Sequence, residues 1–188
     1  MEVASKMMKP TPWQTGEICG PDSARALTKA DVLKRDFKLC KKPLLIVGSE
    51  TPVEKFGRGT MVDYIIELSK AGKIPVIATG GAVKAFLEKG FDNVKSVGAM
   101  EMAFFLQDSE WKGPHGTGPY DMILTYGIPY YMQWTLLSSV MNFAPQITAI
   151  TIGRHFQPHA KWSMPNLREK NWYALLKEIL EFVEGGGK

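Results

Sequence analysis

The stretch PLLIVGSETPVEKFGRGTMVDYIIELSKAGKIPVIATGG, residues 43–81, holds a strand, a helix and a second strand in that order. Leu44-Leu45-Ile46-Val47 is a short apolar run stopped by Gly48, as expected of a strand buried on both faces. Thr60 to Ala71 reads as a helix with Met61, Ile65 and Leu68 on one side and Gly72 as its C-terminal stop. Ile74 to Ala78 is the next strand, and Thr79-Gly80-Gly81 turns into a second helix that runs through Lys89 to Gly90.

The same alternation continues toward the C-terminus. Val94 to Val97 reads as a strand, Met100 to Gln107 as a helix, and Trp111 to Pro119 as a glycine- and proline-rich loop. Asp121 to Thr125 is a fourth strand, Tyr130 to Phe143 a helix, and Ile147 to Ile152 a fifth strand. A last helix, Arg168 to Val183, sets Trp172, Leu175, Leu176, Ile179 and Val183 on one face. Strands that alternate with helices imply right-handed crossovers and a doubly wound parallel sheet, an α/β domain of three layers. With strand order 3-2-1-4-5, a ligand crevice lies between Gly48-Ser49-Glu50 and Tyr126-Gly127-Ile128.

Toward the N-terminus the pattern changes. Lys9 to Trp13 reads as an extended arm, Pro21-Asp22-Ser23 as a helix start, and Asp31 to Lys42 as a basic helix. Residues 1–42 are thus an arm and helices packed on a single domain that spans 1–188. The Lys29–Lys42 segment carries six Lys or Arg against two Asp, with Phe37 as its one aromatic. A nucleic-acid reader usually adds stacking platforms, so no nucleic-acid partner is expected; the segment reads first as a solvated amphipathic helix, and docking to an acidic protein surface is the better of the functional readings.

Composition bounds the function. With 188 residues, 45% hydrophobic and 22% charged, the chain has the make-up of a folded domain, and its net charge of +4 identifies no partner. Two cysteines, Cys19 and Cys40, are too few for a disulfide framework or an iron–sulfur cluster, which points to the cytoplasm. Residues 122–153 contain no Asp, Glu, Lys or Arg, yet Pro129 and Pro145 interrupt them. They read as strand, helix and strand buried at the centre of the domain, not as a membrane span.

The candidate chemistry is sparse. Glycine directly after two strands, at Gly48 and at Gly80-Gly81, lets a phosphate approach backbone N–H groups at a helix start; the alternative is that these glycines only make tight turns. Gly48, Ser49, Glu50, Gly80, Gly81, Tyr126 and Gly127 are therefore the candidate cofactor-binding residues, with Glu50 suited to ribose hydroxyls. No strict GxGxxG is present, and Gly57-Arg58-Gly59 is the nearest to one. His155 and His159 have the spacing of a helical metal pair, but Pro158 lies between them and no carboxylate or cysteine adjoins. His115 reads as an exposed loop residue, and Ser23, Ser49 and Ser96 lack the context of a nucleophile. No metal site and no catalytic residue is expected.

The helix Tyr130–Phe143 is the unusual element. Its polar stripe, Tyr131, Thr135, Ser138, Ser139 and Asn142, carries no charge, whereas a solvent-facing stripe usually does. Such surfaces are typical of protein interfaces, with another subunit or in a homo-oligomer; burial under the chain's own arm near Trp13 is the alternative.

Further segments carry a family likeness. LLIVG at 44–48, the run YDMILTYGIPYYMQWTLLSSVMNFAPQITAITIGRHFQPHAKWSMPNL at 120–167, Trp172, and the early PTPWQ at 10–14 resemble the epsilon subunit of the carbon monoxide dehydrogenase/acetyl-CoA synthase (decarbonylase/synthase) complex of anaerobic archaea. Met164 stands where a larger aromatic is expected. The resemblance implies a Rossmann-like domain similar to the nucleotide-binding domains of sirtuins and thiamine enzymes, without sirtuin chemistry. It implies an alpha-subunit partner that carries the nickel–iron–sulfur and iron–sulfur clusters. It also implies a non-catalytic role, either stabilising that subunit or assisting electron transfer to a flavin, FAD. A free-standing flavin or nicotinamide dinucleotide-binding electron carrier is the other reading.

Overall fold

The computed structural model describes residues 11–12, 20 and 22–186. Its sheet is built on β2 (Pro43–Val47), where Leu44, Leu45, Ile46 and Val47 have no exposed surface. Alternation along a strand sends successive side chains to opposite faces. Leu45 and Val47 accordingly enter one core, and Leu44 and Ile46 the other. Burial of each such side chain stabilises the fold by roughly 1.5–3 kcal/mol, so a polar substitution in this run would be felt by both layers.

Around β2 lie β5 (Val76–Ala78), β6 (Val94–Ser96), β7 (Met122–Tyr126) and β8 (Thr148–Thr151). The short strands β1 (Arg25–Ala26) and β9 (Trp162–Ser163) extend the sheet. The order is β1-β9-β8-β7-β2-β5-β6, and every pair is parallel. Read from β6, the five strands expected from sequence stand in the order 3-2-1-4-5, with β9 and β1 added at the far edge.

On one face of the sheet pack α1 (Lys34–Leu39), α2 (Met61–Gly72), α3 (Ala82–Glu88) and α6 (Glu169–Glu184). On the other pack α4 (Ala99–Phe105) and α5 (Tyr130–Phe143). Trp172, Leu175, Leu176, Ile179 and Val183 of α6 are buried, as the apolar period requires. The Tyr64 hydroxyl donates to the Leu176 carbonyl at 2.9 Å and ties α2 to α6. Among the described residues no helix is long and apolar enough to cross a membrane.

Several expectations are corrected. Asp22–Ala24 do not open a helix: the N–H groups of Ala24 and Arg25 donate to the Pro158 and Lys161 carbonyls at 2.8 and 2.9 Å, which draws the segment into the sheet as β1. Pro21, Cys19, Trp13 and Lys9 lie outside the described residues. The basic helix is shorter than expected, a 3-10 turn at Ala30–Leu33 followed by α1. It is held inward by Asp36, which accepts from Lys161 Nζ and Trp162 Nε1, both at 2.6 Å. Gly72 does not stop α2: the helix includes it, and Lys73 takes the left-handed conformation at φ 52°. His115 is half-buried, its Nε2 2.9 Å from the Val76 carbonyl, and so fastens the glycine-rich loop to β5.

Candidate functional site

The loop after β2 meets the loop after β7 at the carboxyl ends of the strands, where the sheet order reverses. The contact is backbone on backbone. Gly48 N donates to the Tyr126 carbonyl at 2.8 Å and Glu50 N to the Gly127 carbonyl at 2.9 Å. A Cβ at Gly48 would stand 2.3 Å from the Gly127 oxygen, so only glycine lets the loops close. A Cβ at Gly127, whose φ is 67°, would meet the hydroxyl and backbone N of Thr51.

The candidate residues therefore divide. Glu50, Tyr126 and Gly127 line a cavity of about 250 Å³; Gly48 and Ser49 are beside it but do not line it. Gly80 and Gly81 sit across β2 from it, at the end of β5, exposed, with open space around the position of a Cβ. Gly57-Arg58-Gly59 has a different role: it turns a small antiparallel hairpin, β3 (Lys55–Phe56) and β4 (Gly59–Thr60), with Gly57 at φ 59°. The first turn of α2 is closed by its own Asp63, whose carboxylate accepts from Thr60 N at 2.9 Å. A phosphate at that helix start would face a carboxylate.

Apart from Ile128, the rest of the cavity comes from residues that sequence reading did not assign to a ligand crevice. Gln133 on α5 donates from Nε2 to Thr125 Oγ1 at 2.9 Å. Thr151 ends β8, and Arg154, His155 and Gln157 follow it in a turn. Gln157 Nε2 donates to the Tyr130 carbonyl at 3.2 Å. Tyr126 and Trp172 stack with centroids 5.9 Å apart, and Trp172 Nε1 donates to the Ile152 carbonyl at 2.8 Å. A signal was present: RHFQ at 154–157 is the first charged and polar run after thirty-two uncharged residues.

The electrostatics are mixed. Burial, with Glu54 beside it, pushes the Glu50 carboxyl above its ordinary 4.5. Burial, helped by the Arg154 charge, pushes His155 down to about 4, and burial lowers His159 as well. His159 stands edge-on to Trp134 at 5.1 Å and His155 lies beside Arg154, 3.3 Å from its Nε; neither is on a helix. Among the described residues no group of three or more His, Cys, Asp or Glu could hold a metal ion. Cys40 donates its thiol to Asp121 at 3.1 Å, and burial, then that carboxylate, holds its pKa far above the ordinary thiol range.

These histidines set a pH dependence. Their folded pKa values lie below the ordinary 6.5, so the stability they contribute is full above about pH 6.5 and is lost as pH falls toward 4. The urea midpoint should hold steady from pH 8 to about 6.5 and then decline. The decline between pH 6.5 and 5 should be shallower in His155→Gln; an identical decline would show that His155 titrates normally in the fold.

On the opposite face the polar stripe of α5 splits. Ser139 turns inward, its Oγ donating to the Ala103 carbonyl at 3.2 Å and accepting from Gln107 Nε2 at 3.0 Å. Asn142 is exposed and donates to the Ser138 carbonyl at 2.7 Å. Beside them Tyr131, Met132 and Phe143 on α5, with Met100, Phe104 and Phe105 on α4, are exposed. The uncharged stretch is thus central only in its strands; α5 is an outer-layer helix with an apolar outer side.

Comparison with known proteins supplies the family. The family model described as CO dehydrogenase beta subunit/acetyl-CoA synthase epsilon subunit matches residues 6–180. An acetyl-CoA decarbonylase/synthase complex subunit epsilon of Methanothrix soehngenii is 32% identical over 174 residues, 91% of this chain and 90% of its own. A subunit epsilon of Methanothermobacter thermautotrophicus is 30% identical over 89% of this chain and 93% of its own. A subunit epsilon 1 of Archaeoglobus fulgidus is 34% identical over 81% and 82%. A match over nearly the whole length, on a parallel sheet in the expected strand order, leads to one assignment: the chain belongs to the CO dehydrogenase beta subunit/acetyl-CoA synthase epsilon subunit family.

Proposed function

We propose that this chain is an accessory, non-catalytic subunit of an acetyl-CoA decarbonylase/synthase complex, docked on the cluster-bearing alpha subunit and stabilising it. The observation that carries the reading is the outer side of α4 and α5. Six large apolar side chains are exposed there, with Phe104 at 71%, Phe143 at 67% and Tyr131 at 61%. Interface cores are enriched in aromatics and Met and depleted in charge, and α5 has no charged residue. The curated relatives are named as subunits of a complex, which supports reading this face as one that meets another subunit.

Assisting electron transfer to a flavin is a second reading, favoured by the cavity at the strand ends. That cavity, at about 250 Å³, is smaller than the roughly 300–1,000 Å³ that drug-sized ligands occupy, so it admits part of a dinucleotide and not the whole of FAD. The test of the main reading is co-purification. A tagged chain co-expressed with an alpha subunit should recover it as an iron–sulfur protein at fixed stoichiometry. Recovery of the chain alone, or only of a second copy of itself, would overturn the reading.

A further inference from the structure

The cavity bounded by Glu50, Tyr130, Thr151, Arg154, Gln157 and Trp172 has a floor that lacks hydrogen-bond partners. Thr151 has no exposed surface and Gln157 is 2% exposed; Thr151 Oγ1 and Gln157 Oε1 have no partner among the described residues. A buried acceptor or hydroxyl left in that state is costly, so such atoms mark a place where a ligand or water completes the structure. The orientation of the Gln157 amide is fixed. Its Nε2 faces the Tyr130 carbonyl, which can only accept, so Oε1 is the free acceptor. The floor thus offers one pure acceptor and one hydroxyl able to donate or accept, the complement of the paired N–H and ring-nitrogen edge of a nucleobase.

The walls and mouth narrow the class. Tyr126, Ile128 and Trp172 give apolar sides for a flat ring. Glu50 and Glu54 at the mouth accept from vicinal hydroxyls and repel phosphate, and Arg154 is the one cation among the lining residues. The nearby backbone N–H groups of Gly48 and Glu50 are already committed to Tyr126 and Gly127. We propose that this cavity binds a nucleoside, its base edge on Thr151 and Gln157 and its sugar hydroxyls at Glu50 and Glu54, with any phosphate directed outward past Arg154. The site lies beside the Gly48 turn and across β2 from Gly80-Gly81, and it stands independently of docking to an alpha subunit.

Calorimetric titration of the full chain with adenosine tests this, with inorganic phosphate as competitor. Saturable binding is expected, with phosphate competing little. Thr151→Val removes the unpartnered hydroxyl and keeps the shape, so it should melt at the same temperature or higher while weakening adenosine about tenfold. Glu50→Gln should weaken adenosine more than free adenine, which has no sugar hydroxyls. Absence of saturation at roughly millimolar adenosine, equal binding by Thr151→Val, or full competition by phosphate would each overturn the proposal. None of these outcomes bears on co-purification, so the two readings fail separately.

Discussion

Phe104→Glu combined with Phe143→Lys is expected to release the chain from its partner while leaving the isolated fold intact. Both rings are largely in solvent in the single chain, at 71% and 67% exposure, so replacing them removes little buried contact. Surface changes of this kind usually alter stability by no more than about 0.5 kcal/mol. In an assembled interface the same rings would be desolvated. Loss of a central aromatic commonly costs about 2 kcal/mol or more, and a charge placed there without a pair adds a desolvation penalty. Two such changes correspond to a loss of at least roughly a thousandfold in affinity. Sedimentation with the alpha subunit, beside a thermal melt of the free variant, reads both quantities. Normal assembly would put this face in water and leave the accessory reading without a docking surface. Ser139→Glu is the contrasting variant: its hydroxyl bridges Ala103 and Gln107, so it should lower the melting temperature of the free chain.

Gly48→Ala should destabilise the fold by at least about 3 kcal/mol, the upper part of the range for overpacked cores. The added methyl would lie 2.3 Å from the Gly127 oxygen and 2.4 Å from Ile128 Cα. Both are backbone atoms, so no rotamer change relieves the clash. The β2 and β7 loops would have to part, breaking the hydrogen bonds from Gly48 and Glu50. For a chain of this size that is a fall of roughly 10 °C in melting temperature. Gly81→Ala is the internal control: its φ is −76° and the space around it is open, so its melt should be nearly unchanged. Similar melts for both variants would mean that the loop contact is not tight. Loss of ligand binding in a Gly48 variant would therefore report a disturbed fold before it reported a lost phosphate contact.

The sheet was legible because its central strands are apolar runs ended by glycine or a turn, and each is separated from the next by helical spacing. LLIV at 44–47 carries this signal on its own, since residues facing both layers must all be apolar. β1 was not legible: two residues, one of them an exposed arginine, have no periodicity, and their partners lie some 137 positions away at Trp162 and Ser163. The hairpin at 55–60 resembled a phosphate loop because a tight turn and a phosphate cradle both call for glycine. The cavity escaped for another reason. Its floor joins Gln133, Thr151 and Gln157, residues that sit on a helix, a strand end and a turn and that only the crossover brings together. Of the crevice expected between the loops at 48–50 and 126–128, Glu50, Tyr126, Gly127 and Ile128 do border that cavity.

The two margins of the sheet limit how this protein can associate. At one margin β6 has three residues, two of them the exposed Lys95 and Ser96; at the other β1 has two, beginning with the exposed Arg25, whose guanidinium lies over Trp162. Short strands with a cation at the rim are poor templates for an incoming strand. Growth of the sheet from molecule to molecule is thereby discouraged at both of its described margins, and the exposed aromatic rings of α4 and α5 lie on a pair of helices and not along an open ladder of backbone hydrogen bonds.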